Sequence, residues 1–155
     1  MNLEKYSQLI ESSLASLGLN PTDSRCAEEG QWLLFNGETE IYIDLWEEKN
    51  DNPWLYFEND EPIFIFQVIA PICHLPAENI TSFYESLLHN NLNLINASYT
   101  INKEQNILAV KIRKTSKFIT QEEIIDLIEA IGYYSEITYD SLAEIYTLEK
   151  IAKEN

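Results

Sequence analysis

The sequence predicts an α+β fold: one antiparallel β-sheet with helices set apart from it, in the order α-β-β-β(β)-α-β-β-α. Three observations carry this. Asn36-Gly37 joins two strand-like runs, the strongest short hairpin signal there is. Tyr99–Ile101 and Ile107–Ile112 flank the polar turn 102–106 and form a second strand pair. Three other segments repeat apolar residues at helical spacing, each with its own start or stop signal. Strands paired by short turns, with helices apart, give α+β rather than an alternating βαβ architecture. The 155 residues fit one domain, 1–155, large enough for a single core.

The first helix is expected over Leu3–Leu17, where Leu3, Tyr6, Ile10, Leu14 and Leu17 form its apolar stripe. Gly18 suits a left-handed cap, and Pro21 prevents continuation. Residues 20–30 read as loop. Gln31–Phe35 and Glu40–Trp46 form the first hairpin; Ile41, Ile43 and Leu45 share one face, and Tyr42, Asp44 and Trp46 the other. After an acidic loop, Trp54–Phe57 reads as a strand, and Ile63–Ala70 as another that ends at Pro71. That last run is apolar on both faces, so it should be central and covered on both sides, by helices or a partner subunit.

Pro76 marks the first turn of the second helix, with Ile80, Phe83, Tyr84, Leu87 and Leu88 on its apolar face. Thr81, Ser82, Glu85, Ser86 and His89 form the wet face, and Asn90, Asn91 and Asn93 sit in the loop beyond it. Thr120-Gln-Glu-Glu123 is a capping box opening the last helix, with Ile119 and Ile124 placed as a hydrophobic staple. The stripe Leu127, Ile131, Tyr134, Leu142, Ile145 and Leu148 extends that helix to about Ala152, with Gly132 its weak point.

Net charge is −16. Residues 1–61 hold 14 acidic side chains against Lys5, Arg25 and Lys49, a net of −11, and residues 62–155 supply the remaining −5. Such a surface repels nucleic acid and anionic membranes, and no apolar run approaches a membrane span. The N-terminus lacks a signal-peptide layout, so a cytoplasmic protein is expected. Cys26 and Cys73 stand in no metal or redox spacing and read as free thiols. Phosphate loops and nucleophile elbows are absent, and Cys73-His74 are neighbours that point apart in an extended chain. The expectation is a chain without catalytic residues, metal or cofactor.

At four places the chain resembles the type III secretion chaperone-like superfamily and its YbjN-like bacterial branch. These are Val68-Ile-Ala-Pro … Leu75-Pro-Ala-Glu, Leu87-Leu-His-Asn-Asn, Ala97-Ser-Tyr-Thr-Ile … Ile107-Leu-Ala-Val-Lys-Ile, and the threonine-capped last helix. The resemblance covers nearly the whole chain in element order. It implies a non-enzymatic, often dimeric protein that binds an extended segment of another protein, or a regulator of unknown ligand. A chaperone-style dimer uses the second helix, and the polar face here departs from that.

Two residue sets are candidates for contact. Tyr42, Trp46, Trp54 and Tyr56, with Trp32 nearby in sequence, either pack against the last helix or line a groove that receives a peptide. Lys111, Arg113, Lys114 and Lys117 are the basic cluster of an acidic protein. They either form a solvated sheet face or make a self-association contact with the acidic 36–61 region of a second copy, giving a homodimer. The leading function is a chaperone-like module binding a protein partner; the alternative is a small-ligand-responsive regulator with a cavity between sheet and helices.

Overall fold

The computed structural model describes residues 2–49, 51–55 and 61–151. Its strands are β1 (Gln31–Asn36), β2 (Thr39–Glu48), β3 (Ile63–His74), β4 (Ser98–Asn102) and β5 (Ile107–Thr115). All pair antiparallel, in the order β1-β2-β3-β5-β4. The helices are α1 (Leu3–Ser16), a one-turn α2 (Pro21–Ser24), α3 (Ile80–Asn90) and α4 (Gln121–Ala143), with a 3₁₀ turn at Asn91–Asn93.

Alternation along the strands sorts the sheet into two faces. Ile41, Ile43 and Leu45 of β2 are buried, in register with Phe66 and Val68 of β3, and next to Val110 and Ile112 of β5. The stripes of α1 (Tyr6, Ile10, Leu14), α3 (Phe83, Leu87) and α4 (Ile124, Leu127, Ile131) close over this face in one core cluster. Of the cover expected on both faces of β3, helices supply one side. No helix lies over the other face among the described residues. Its Ile65, Gln67 and Ala109 are nonetheless buried.

Local chemistry moved several boundaries. Asn36 pairs with Thr39, so the turn residues are Gly37-Glu38 rather than Asn36-Gly37, with positive φ at Gly37 alone (+62°). Asn20 caps the unexpected α2 through its side chain, accepting from the Thr22 N–H at 3.1 Å. Pro71 does not end β3. The strand continues to His74 through a register slip between Pro71 and Cys73, a bulge of the kind that tolerates a residue without an N–H. Trp54 and Leu55 lie in a turn rather than a strand; Tyr56 and Phe57 lie outside the described residues.

Pro76 precedes the helix rather than opening it. α3 begins at Ile80 behind Asn79, whose φ is +57°. Of its expected apolar stripe, Leu88 is exposed. Thr120 caps α4 as expected, accepting from the Glu123 N–H at 3.2 Å, and the Ile119 and Ile124 staple is buried. The Glu123 carboxylate pairs with Lys114 instead of reaching back. α4 passes through the buried Gly132 and stops at Ala143, short of the expected end. Beyond it Tyr146 returns to the core, edge-on to Phe83 at 5.1 Å, its hydroxyl 2.8 Å from Ser82 Oγ and 3.3 Å from Ser86 Oγ. Part of the α3 face expected to be wet is thus covered. Glu149 O accepts from His74 N–H at 2.9 Å, and Lys150 bridges Cys73, lengthening the sheet beside the end of β3.

Candidate functional site

The face of the sheet that the helices leave open is where contact chemistry collects. The register places Gln31, Asp44, Gln67 and Arg113 side by side across β1, β2, β3 and β5. Gln31 Nε2 donates to Asp44 Oδ1 at 2.8 Å, Gln67 Nε2 donates to Asp44 Oδ2 at 3.0 Å, and Arg113 Nε donates to Gln67 Oε1 at 2.8 Å. Asp44 is acceptor-only and Arg113 donor-only, so the two glutamine amides between and beside them are oriented by charge at either end. Rows of apolar side chains run along this polar seam. On one side lie Leu33, Tyr42 and Ile69, and on the other Trp46 and Ile65.

Of the aromatic candidates, Tyr42 and Trp46 lie on this face and are half-buried. The Tyr42 hydroxyl donates to Glu40 Oε2 at 3.0 Å, and Trp46 Nε1 donates to Glu48 Oε2 at 3.2 Å; that bond holds the Glu48 carboxyl below its usual range. The Arg113 guanidinium lies over the Trp46 ring, 5.2 Å from its centroid. Trp54 is 94% exposed in the turn after β2, and Tyr56 lies outside the described residues. Trp32 belongs to the core face, with its indole N–H 3.2 Å from Glu11 Oε1. Glu11 also takes a two-point ion pair from Arg25 at 2.5 and 2.7 Å, which holds its carboxyl below the usual range.

The basic set does not gather in one place. Lys111 and Arg113 are on the open face, Lys114 turns to the helix side and pairs with Glu123, and Lys117 sits in the following turn over the Phe118 ring. Lys111 is half-buried; burial, then the neighbouring Arg113 charge, push its pKa down.

Among the described residues, two concavities adjoin the face. One, of about 1010 Å³, lies on it between β2 and β4, floored by Ile69, Pro71, Ile107 and Ala109. The other, of about 610 Å³, lies at the end of the sheet against α4, where Glu38, Glu40, Glu136 and Asp140 face Lys150. No group of three or more His, Cys, Asp or Glu side chains converges as a metal site among the described residues. The Cys73 thiol is buried and pushed up to about 11, a packing residue rather than a nucleophile. No helix among the described residues is long and apolar enough to cross a membrane.

Sequence reasoning missed two features. The polar seam needs the register of four strands, and its traces in the sequence are Asp44 beside Tyr42 and Trp46 on one face of β2 and Gln67, a lone amide in the apolar run Ile63–Ala70. The second is the exposed stripe Leu88, Leu92 and Ile95, which continues from α3 through the 3₁₀ turn. Beside it, Asn91 Oδ1 accepts from the Tyr99 N–H at 2.9 Å and satisfies a donor of the edge strand β4.

No protein-family model matches the sequence, and no curated protein matches it. Solved structures do. A chain of the ExsC–ExsE complex aligns at 13% identity over 90% of this chain and 96% of its own, with a TM-score of 0.62. A chain of the HopA1–SchA chaperone–effector complex aligns at 9% identity over 87% and 93%, with a TM-score of 0.60. YbjN from E. coli aligns at 14% identity over 96% of each chain, with a TM-score of 0.56. At such identities the likeness is one of fold. One open five-stranded antiparallel sheet with helices against a single face, and this likeness over most of the chain, give it a fold like that of the type III secretion chaperones and of YbjN.

Proposed function

We propose that this protein is a non-catalytic, chaperone-like module of the cytoplasm that receives an extended segment of a partner protein on the open face of its sheet. The observation that carries this is the half-buried apolar surface around the polar seam, with Leu33, Tyr42, Trp46 and Ile69 under no helix among the described residues. Apolar rows offer contact area, and the fixed amides give an extended segment donors and acceptors to match. The fold neighbours held in complexes, ExsC–ExsE and HopA1–SchA among them, support a binding role over a catalytic one. A regulator with a ligand cavity between sheet and helices is the lesser reading, because the concavity of about 1010 Å³ lies on the outer face.

Phe35 is 41% exposed on this face and tests the reading directly. With p-benzoylphenylalanine in its place, irradiation in cells is expected to attach one recurrent polypeptide. Joint substitution of Trp46→Ala and Trp54→Ala is expected to abolish that adduct with the thermal midpoint nearly unchanged. No recurrent adduct overturns the proposal, and a large fall in the midpoint assigns the tryptophans to the core.

Self-association is a second reading, favoured by the Leu88, Leu92 and Ile95 stripe, which can meet its own copy across a two-fold axis. Light scattering is expected to report a dimer that Leu92→Glu converts to monomer. Raising salt from about 0.05 to 0.5 M screens exposed charges and leaves an apolar contact in place. A dimer that dissociates in salt but survives Leu92→Glu assigns the contact to Lys111, Arg113 and their neighbours instead.

A further inference from the structure

On the β4–β5 side of the open face the local charge runs against that of the whole molecule. The protein carries −16, yet the groove there is lined by Lys103, Lys111 and Arg113 with one carboxylate, Glu40. That carboxylate already accepts the Tyr42 hydroxyl. Arg113 donates through Nε to Gln67 and lies over the Trp46 ring, its charge also felt by the Glu48 carboxylate. Lys111 is placed differently. It stands between Ile69 of β3 and Ser98 of β4, half-buried, and no hydrogen bond or ion pair engages its ammonium among the described residues. Withdrawing an unpaired ammonium from water beside a second cation is unfavourable, and an anion seated there relieves it.

The strand gives this charge an order. Ile107, Ala109, Lys111 and Arg113 point to the same side of β5, two apolar positions followed by two cationic ones. Each is roughly 6.6–6.8 Å from the next, the repeat of alternate residues in any extended chain. We propose that the groove takes an extended protein segment aligned with β5, whose sheet-facing residues are two apolar side chains followed by two carboxylates. The apolar pair rests on Ile107, Ala109 and Pro71, and the carboxylates on Lys111 and Arg113. This rests on the docking face proposed above and adds the chemistry of what docks.

The test is an NMR titration of the whole chain with a short peptide carrying valine, valine, glutamate and glutamate at alternate positions, with serine between. Shifts centred on the amides of β5 and β3 are expected. The glutamine counterpart is expected to bind about ten-fold more weakly, the scale of two partly exposed ion pairs. Joint substitution of Lys111→Gln and Arg113→Gln, at an unchanged thermal midpoint, is expected to erase that difference, as is 0.5 M salt. If the glutamine peptide binds equally to the same face, the charge inference falls and the docking face stands. A lysine counterpart binding more tightly overturns it as well, since the field of the whole protein then decides. Decanoate competing on equal terms replaces the segment with a small carboxylate amphiphile. If no peptide shifts these amides the proposal is overturned, and the docking face is then judged by the Phe35 cross-link alone.

Discussion

Gly30→Ala is expected to destabilise the protein by about 3 kcal/mol or more, the sum of a left-handed backbone penalty and an overpacked contact. Gly30 has φ +79°, and a Cβ there would lie 2.3 Å from the carbonyl oxygen of Leu45. That oxygen belongs to β2, so no side chain can swing aside. The same residue's own carbonyl accepts from the Leu45 N–H at 2.8 Å, which fixes how the chain enters β1 just before Gln31 begins the polar seam. Gly18 is the control. It has the same φ of +79° with nothing within 4 Å of an added Cβ, so Gly18→Ala should cost roughly 1–2 kcal/mol, the conformational part alone. Urea midpoints of the two variants measure the difference. Equal losses would mean that the β1 entry yields freely and that the close approach to Leu45 matters little.

Phe83→Ala is expected to cost about 3–5 kcal/mol, the range for emptying a fully buried aromatic site. Phe83 has no exposed surface and meets Tyr146 edge-on, so its loss opens a cavity where α3, the sheet and the chain after α4 converge. Leu88, five residues along the same helix, is 73% exposed, and Leu88→Ala should change stability by no more than about 0.5 kcal/mol. Urea unfolding at constant slope separates the two. A small loss at Phe83 would place α3 outside the cooperative unit, with Tyr146 released as well.

Much of the fold was legible because it is written in local periods and caps. The alternation of Ile41, Ile43 and Leu45 against Tyr42, Asp44 and Trp46 appears in the structure as two faces of β2. The threonine cap and isoleucine staple of α4 are local too, and both formed. What misled was punctuation read without its neighbours. Pro71 signals an end to a strand, but pairing with β5 carried β3 through it with a bulge. Pro76 suits a first turn, but the left-handed Asn79 reset the start of α3. The candidate site was legible only in part. Tyr42 and Trp46 could be placed on one face from β2 alone, whereas their neighbours Gln67 and Arg113 depend on which strands become adjacent. Lys111 and Lys114 look like one basic patch in sequence; three positions apart on a strand, they point to opposite faces.

The strand order also bears on synthesis at the ribosome. β3 pairs with β2, made before it, and with β5, made only after α3 and β4 have followed. Until then a nascent chain holds out the long edge of Ile63–His74 with its main-chain groups unsatisfied on one side, an invitation to join another unfinished copy. The fourteen acidic residues already made by position 61 give neighbouring nascent chains a shared negative charge. Mutual repulsion during that interval is an effect of the acidic residues 1–61 that precedes folding.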